Sequence, residues 1–362
     1  MKHLYFTPGP TELYFTVHEH LKNALKEDIL SLSHRSDKFK VIYADTVASL
    51  RELLGLPEDW HIIFASSATE IWERAVQNLV EKNSFHFVSG AFSGKFAACA
   101  KRMGKNVVIE EAPFGQVPNP REAIIPLDSE FISFTHNETS SGACQPLEDF
   151  AWVRKNNPNA LIAVDGISSL PVITLDYEQI DTAYFTVQKC FGLPAGLSVW
   201  LVNNRCLAKA EMLEKKGIVT GSYYSLAQRV ELSQQNQTPE TPNVLAIYLL
   251  GKVAKDMLMK GIDQIQRETN YKAAVMYHLL ENTPGISPFI QNPEHRSKTT
   301  IVASCEKSTQ IIEALKSKKL ILGAGFGKYK EHHLRIANFP THSKEQFEML
   351  ADKLSEQLDS DQ

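Results

Sequence analysis

The spacing of apolar residues changes character along the chain. From about residue 60 to about 205, short apolar runs alternate with segments whose apolar positions recur every three or four residues. The runs at 62–64, 85–88, 107–109, 131–134 and 160–164 are too short for helices and predict strands. Residues 181–189 form another β-prone run, ending in a lysine and followed by a Gly/Pro turn and a further apolar strand. Between these runs the pattern predicts helices over 69–80, 93–103 and 147–155, and Ile71, Trp72, Ala75 and Leu79 share one face of the first. Such alternation predicts an α/β architecture, a mostly parallel sheet flanked by helices.

From about 205 to 282 the pattern turns mostly helical, and one long helix near 262–281 is expected to bridge two domains. A second strand–helix series follows at 299–303, 307–317, 333–338 and 343–358. In its last helix Phe347, Leu350, Leu354 and Leu358 form one stripe, and Ser343 with Gln346 reads as a capping box. The predicted organisation is a large domain over 16–262 and a smaller α+β domain made of 1–15 and 263–362. The arm at 6–11 is expected to be extended and to cross toward the active site, and the tail 355–362 to fray.

Composition narrows the class. A chain of 362 residues exceeds what one hydrophobic core usually supports. A net charge of -4 points to neither nucleic acid nor a membrane as partner. Cys99, Cys144, Cys190, Cys206 and Cys305 show no paired spacing for a metal or a disulfide framework. Pro8-Gly9-Pro10 interrupts any N-terminal apolar region, and no apolar run approaches the ~18 residues of a membrane span. A soluble cytoplasmic protein without a metal is the expectation.

The chemistry starts from Lys189, one amine at a strand end facing a cleft. Upstream, Asp165 closes the apolar run 160–164 and precedes Gly166, which is poor placement for ordinary surface charge. A buried carboxylate needs a cationic partner, and a protonated pyridine nitrogen is one. A lysine able to form a Schiff base, with an aspartate for a pyridinium nitrogen, is the pair that pyridoxal phosphate chemistry needs. The turn Ser66-Ser67-Ala68-Thr69-Glu70 lies between a strand and a helix, where free N–H groups suit a phosphate; by itself it is an ordinary helix cap. Phe92 follows another strand and suits either stacking on a pyridine face or the core. Thr139, in the polar turn 136–142, is placed to donate to a phenolic oxygen.

These residues carry a resemblance. The chain resembles the class V aminotransferases of fold type I, and among them most the phosphoserine aminotransferases. The likeness spans nearly the whole chain. It includes Ser33-His34-Arg35-Ser36, Asn137-Glu138-Thr139, the Asp165 segment, and Gln188-Lys189 with Gly192-Leu193-Pro194-Ala195-Gly196-Leu197. It extends to Thr238-Pro239-Glu240-Thr241-Pro242 and Arg335-Ile336-Ala337-Asn338.

The resemblance implies that Lys189 carries the cofactor, Asp165 pairs with its ring nitrogen, and Gln188 bonds near its phosphate or phenolic oxygen. Phe92 stands at the stacking position and Thr139 at the phenolic-oxygen threonine. Ser67, Ala68 and Thr69 belong to the phosphate turn. Gln237 and Thr238 align with a pair that reaches the phosphate from a second subunit, which implies a homodimer with shared sites. Arg335 would clamp the substrate α-carboxylate, and His34 and Arg35 a side-chain phosphate. The implied reaction is transamination between O-phosphoserine and 2-oxoglutarate, part of serine biosynthesis.

Departures from the pattern define the alternatives. The family usually has a His-Arg pair shortly before the carboxylate arginine, where this chain has Lys328-Tyr329. Gly325-Phe326-Gly327-Lys328-Tyr329-Lys330 is closer to aminotransferases that pair alanine or serine with glyoxylate or pyruvate. Lys328 or Lys330 would serve a phosphate as a point charge without a fork. A desulfurase-type lyase needs a nucleophilic cysteine near the substrate arginine, and none lies between 306 and 362. A dinucleotide-dependent oxidoreductase needs a Gly-x-Gly-x-x-Gly turn that 66–69 does not supply. Retention of Lys189, Asp165 and Arg335 together speaks against a silent cofactor-binding protein.

Overall fold

The protein is described here over residues 2–359 by a computed structural model. The N-terminal arm forms β1 (Leu4–Phe6), followed by α1 (Val17–Lys26) and α2 (Asp37–Leu54). The alternating stretch gives β2 (Trp60–Ala65), α3 (Ala68–Leu79), β3 (Asn83–Val88), α4 (Ala91–Arg102), β4 (Asn106–Glu111) and β5 (Phe131–Thr135). A small hairpin of β6 (Asn137–Glu138) and β7 (Ala143–Cys144) precedes α5 (Glu148–Asn156), β8 (Leu161–Asp165), β9 (Thr182–Thr186) and β10 (Ser198–Asn203). Then come α6 (Asn204–Lys215), α7 (Leu226–Gln234), α8 (Val244–Lys260) and α9 (Ile262–Asn282). The chain closes with β11 (Ser287–Pro288), β12 (Thr300–Ser304), α10 (Ser308–Ser317), β13 (Leu320–Ala324), β14 (His333–Ala337) and α11 (Lys344–Asp359).

The large sheet has the order β2-β10-β9-β8-β5-β3-β4. Its central strands β5, β8, β9 and β10 are buried on both sides because both faces are covered. In β8, Ile162 and Val164 belong to one core and Leu161 and Ala163 to the other, and Val199 and Trp200 of β10 divide the same way. The sheet is mostly parallel, as the alternation predicts; β10 runs antiparallel to both β2 and β9. The reason lies in the connection. No helix separates β9 from β10, and a short link between neighbouring strands returns the chain in the opposite direction. Lys189 sits in that link.

A second sheet has the order β1-β13-β14-β12-β11 and its own core, in which Phe6, Ile301 and Ile336 pack with Met276, Phe347 and Leu350. Helix α9 spans both cores: Ile262 and Ile265 join the large one, Met276 and Leu280 the small one. The capping box of α11 is formed, with Gln346 N–H donating to Ser343 Oγ at 3.2 Å and Ser343 N–H to Gln346 Oε1 at 3.0 Å. Residues 355–359, expected to fray, instead extend α11, because Leu354 and Leu358 anchor the last turns in the small core; 360–362 lie outside the described residues. Among the described residues no helix is long and apolar enough to cross a membrane, and no cluster of ligating side chains would hold a metal.

Candidate active site

A cavity of about 500 Å³ opens between the two sheets, at the C-terminal ends of the large sheet's parallel strands. This is where open α/β sheets place ligands. The N-terminal arm crosses to it as expected: β1 pairs with β13, and Thr7, Pro8 and Gly9 form part of the wall. Gly9, with a φ of +129°, lies so close to Lys189 that an added Cβ would stand 3.0 Å from its Cε.

Lys189 leaves β9 in a tight turn closed by Gly192 N–H donating to Lys189 O at 2.9 Å. A side chain at Gly192 would meet Thr341 Cγ2 at 2.3 Å and Tyr14 N at 2.6 Å, and its φ is +58°, so only glycine fits there. The Lys189 ammonium donates to Thr139 Oγ1 at 2.7 Å. Thr139 Oγ1 in turn donates to Ser168 Oγ at 2.9 Å, and Ser168 Oγ to Asn137 O at 2.8 Å. Burial lowers the proton affinity of Lys189, opposed by the Asp165 carboxylate. Burial likewise pushes Asp165 above the usual carboxylate range, while the Ile167 N–H, Lys189 and Tyr184 hold it down. The Ile167 bond to Asp165 Oδ1 is 2.9 Å. Each member of this buried pair favours the charged form of the other.

Two helices begin beside the cavity, and they are satisfied differently. At the start of α4, Glu138, fully buried, accepts from Phe92 N–H at 3.1 Å, Ser93 N–H at 3.0 Å and Ser140 Oγ at 2.6 Å. A carboxylate thus neutralises that helix terminus from within the protein. At the start of α3, Ser67 caps by accepting from Glu70 N–H at 3.1 Å, and Glu70 reaches back to Ser66 N–H at 2.9 Å. Ser67, Ala68 and Thr69 line the cavity, and the Glu70 carboxylate is bonded to Ser66 and Arg229 instead of to the N–H groups of Ala68 and Thr69. Glu70 is held below the usual carboxylate range: burial opposes ionisation, but bonds from Ser66 and the nearby Arg229 outweigh it.

The opposite wall comes from the small sheet. Arg335 donates through Nε to Ala324 O at 2.7 Å and through Nη1 to Thr139 O at 3.3 Å, which fixes the guanidinium at the mouth of the cavity. Phe92 and Phe326 meet with ring centroids 5.5 Å apart, and Lys189 Nζ is 5.6 Å from the Phe92 ring. Gln188 also lines the cavity, and its Oε1, like the Oγ1 of neighbouring Thr186, is buried with no partner.

Nine of the residues singled out in the sequence therefore converge: Lys189, Asp165, Thr139, Phe92, Gln188, Ser67, Ala68, Thr69 and Arg335. Five do not line this subunit's cavity. His34 and Arg35 sit in a turn before α2, Gln237 and Thr238 in the loop after α7, and Lys328 is exposed. Tyr329 beside Lys328 is sandwiched between Phe114 and His333, each 4.7 Å away, so its segment is held by aromatic packing. Glu138 and Phe326 escaped the sequence reading as individual functional residues. Glu138 stands inside the quoted Asn137-Glu138-Thr139 motif, so the acid ahead of Thr139 was the available signal; nothing local marks Phe326.

The family model described as aminotransferase class-V matches residues 5–328. The crystal structure of a phosphoserine aminotransferase from Cytophaga hutchinsonii is 46% identical, covers 98% of both chains and superposes with a TM-score of 0.96. The chain belongs to the class-V aminotransferases. A phosphoserine aminotransferase of Rhodococcus opacus is 28% identical over 330 residues, 89% of this chain and 86% of that protein. An aspartate aminotransferase of Thermus thermophilus, at 21% identity and a TM-score of 0.84 over 99% of both chains, shares the fold. As a member of this family the protein is an aminotransferase of fold type I, and its cofactor is pyridoxal phosphate.

Proposed function

We propose that this aminotransferase uses O-phosphoserine as amino donor and 2-oxoglutarate as acceptor, giving 3-phosphohydroxypyruvate and glutamate. The observation that carries this reading is the 46% identity, over 98% of both chains, to a protein described as a phosphoserine aminotransferase. The fold alone would not carry it, since an aspartate aminotransferase shares it.

The residues at the cavity fit pyridoxal phosphate. The open N-terminus of α3, formed by Ser67, Ala68 and Thr69, suits the phosphate. The orphaned Oε1 of Gln188 and Oγ1 of Thr186 are buried polar atoms that lack a partner within the chain. Phe92 offers a ring face, Thr139 a hydroxyl that would turn its proton from Ser168 to the phenolic oxygen, and Asp165 a buried carboxylate for the pyridine nitrogen. Bound in this way, the cofactor supplies an electron sink for negative charge at the substrate Cα.

The remaining steps fall to the chain. Lys189 would hold the cofactor through its amine, and the same amine would take the proton from the substrate Cα as general base. Burial suits the amine to this, because it lowers its proton affinity. Arg335 grips the α-carboxylate with its planar fork and so fixes which Cα bond faces Lys189. Phe92 and Phe326 keep water from that side.

His34, Arg35, Gln237 and Thr238 are assigned to a neighbouring subunit's site in a homodimer. Buried His34 Nε2 and Gln237 Nε2 have no hydrogen-bond partner within this chain, as expected of groups completed by a second copy. His34 and Arg35 then read the substrate phosphate, and Gln237 and Thr238 the cofactor phosphate. Lys328 is assigned to the same substrate phosphate, as a point charge at the rim. The division into domains at 16–262 and at 1–15 with 263–362, and a cytoplasmic location suited to free cysteines, complete the reading.

Steady-state rates with 2-oxoglutarate as acceptor test it. A kcat/KM for O-phosphoserine at least tenfold above those for serine and alanine is expected. Equal or reversed preference would refute the phosphoserine assignment.

A further inference from the structure

Glu70 sits at the third helical position of α3, where a carboxylate can fold back onto the open N–H groups of its own helix. We propose that the buried guanidinium of Arg229 holds and neutralises Glu70, and so keeps the N–H groups of Ala68 and Thr69 available to the cofactor phosphate. The proposal rests on the reading above that the phosphate binds at this terminus.

Both oxygens of the Glu70 carboxylate are taken. Oε1 accepts from Arg229 Nη2 at 2.7 Å, and Oε2 accepts from Ser66 N–H at 2.9 Å and Ser66 Oγ at 2.7 Å. Ser67, Ala68 and Thr69 line the cavity, whereas Glu70 does not. The opposite arrangement holds at α4, where Glu138 itself accepts from the first N–H groups. Released from Arg229, Glu70 could do the same at α3. It would then compete with a phosphate for Ala68 and Thr69 and repel its negative charge.

The packing of α7 against α3 places Arg229 for this task. Leu226 N–H donates to Asn78 Oδ1 at 2.7 Å, and Leu226 and Val230 share a core with Ile71 and Ala75. Arg229, between them in sequence, is only 2% exposed. Its guanidinium lies over the Tyr224 ring, 4.9 Å from the centroid. Arg74, over the same ring, is bonded to Gln77 at 2.9 Å instead, so the charge of Glu70 is answered by Arg229. Removing one partner of so buried a pair leaves the other uncompensated. Arg229 does not line the cavity; it acts through Glu70 and is a positioning residue.

The test strips the full-length protein of cofactor and titrates it with pyridoxal phosphate and, separately, with pyridoxal, which lacks the phosphate. The ratio of the two Kd values reads the phosphate site alone, because Lys189 and Asp165 meet both compounds alike. In Arg229→Gln the preference for the phosphorylated form should fall about tenfold, the order expected when one nearby like charge is left unneutralised. Glu70→Gln keeps the shape and removes the charge. It should raise the preference about threefold, since Arg229 then acts on the phosphate unopposed. The double variant should return to within about twofold of wild type. A preference unchanged in Arg229→Gln, or not restored in the double variant, overturns the proposal. Should Arg229→Gln yield no folded protein, Glu70→Gln decides, and an unchanged or weakened preference there overturns it. Ala68→Pro removes one N–H at a helical position that tolerates proline and tests the underlying reading. If it leaves the preference unchanged, the phosphate lies elsewhere and that reading fails.

Discussion

At the residue scale, the site depends on charges that burial makes expensive and that neighbours hold in place. Lys189 and Asp165 each face a desolvation penalty that the other offsets. Replacing Lys189 with alanine removes the covalent anchor and the base at Cα together. Turnover should drop by at least a thousandfold, with a folded protein by circular dichroism and cofactor held non-covalently at most. Turnover near wild type would refute the lysine assignment. Lys189, Asp165 and Arg335 were legible in the sequence because each is a polar residue in or at the end of an apolar strand, where a plain charge is costly. Tyr184 was not, because an aromatic within an apolar strand reads as core until its hydroxyl is seen to accept from Trp72 Nε1. Glu138 was hidden for a related reason: its partners, Phe92 and Ser93, lie more than forty residues earlier.

At the scale of elements, the contrast between α3 and α4 organises the cavity. Glu138 closes α4, and Gly90 lets it in: a Cβ at Gly90 would stand 2.5 Å from Glu138 Cγ and 2.7 Å from Ser140 Oγ. Gly90→Ala should therefore destabilise the protein by about 1–3 kcal/mol in denaturant unfolding, as overpacking does, and an unchanged midpoint would show that Glu138 tolerates displacement. Between β3 and β5, His86 is flanked by Ser133 Oγ at 2.7 Å and Ser84 Oγ at 3.1 Å. Burial pushes its imidazole down to about 3, and that of His342 to about 3 as well. Both remain neutral in the fold but take up protons when unfolded below about pH 6.5. Stability should consequently fall as the pH drops from 6.5 toward 3, and His86→Gln should make the melting temperature less steep over that window; an unaltered slope would count against it. Most strands and helices after residue 60 followed from apolar spacing. Helix α2 also announced itself, with Ser36 accepting from Phe39 N–H and Gly55 at a left-handed C-cap, but those signals went unread. Strand β1 is short and pairs with β13 from the far end of the chain, so local pattern carried little of it.

At the scale of the whole molecule, the arm and the small sheet close the cavity over the large sheet, and α9 joins the two cores. The proposed homodimer would finish the site by bringing His34 and Arg35 of one subunit to Lys189 of the other. Complementation checks this. Lys189→Ala and Arg35→Ala, each poor with O-phosphoserine alone, should regain about a quarter of wild-type activity when unfolded and refolded together, since statistical mixing restores one intact site in half of the dimers. No recovery would place Arg35 in its own subunit's site or outside catalysis. The segment around Lys328 illustrates what sequence comparison left open. Its motif hinted at other substrates, yet Tyr329 is committed to packing on Phe114 and His333.

The most direct measurement is single-turnover absorption spectroscopy of the purified holoenzyme, with O-phosphoserine, glutamate, serine or alanine added alone. Rapid conversion of the pyridoxal band to the pyridoxamine form by O-phosphoserine and glutamate, with sluggish conversion by alanine, is the predicted result. Faster conversion by alanine or serine would contradict the phosphoserine assignment, and no cofactor band after reconstitution would contradict the roles given to Lys189 and Asp165.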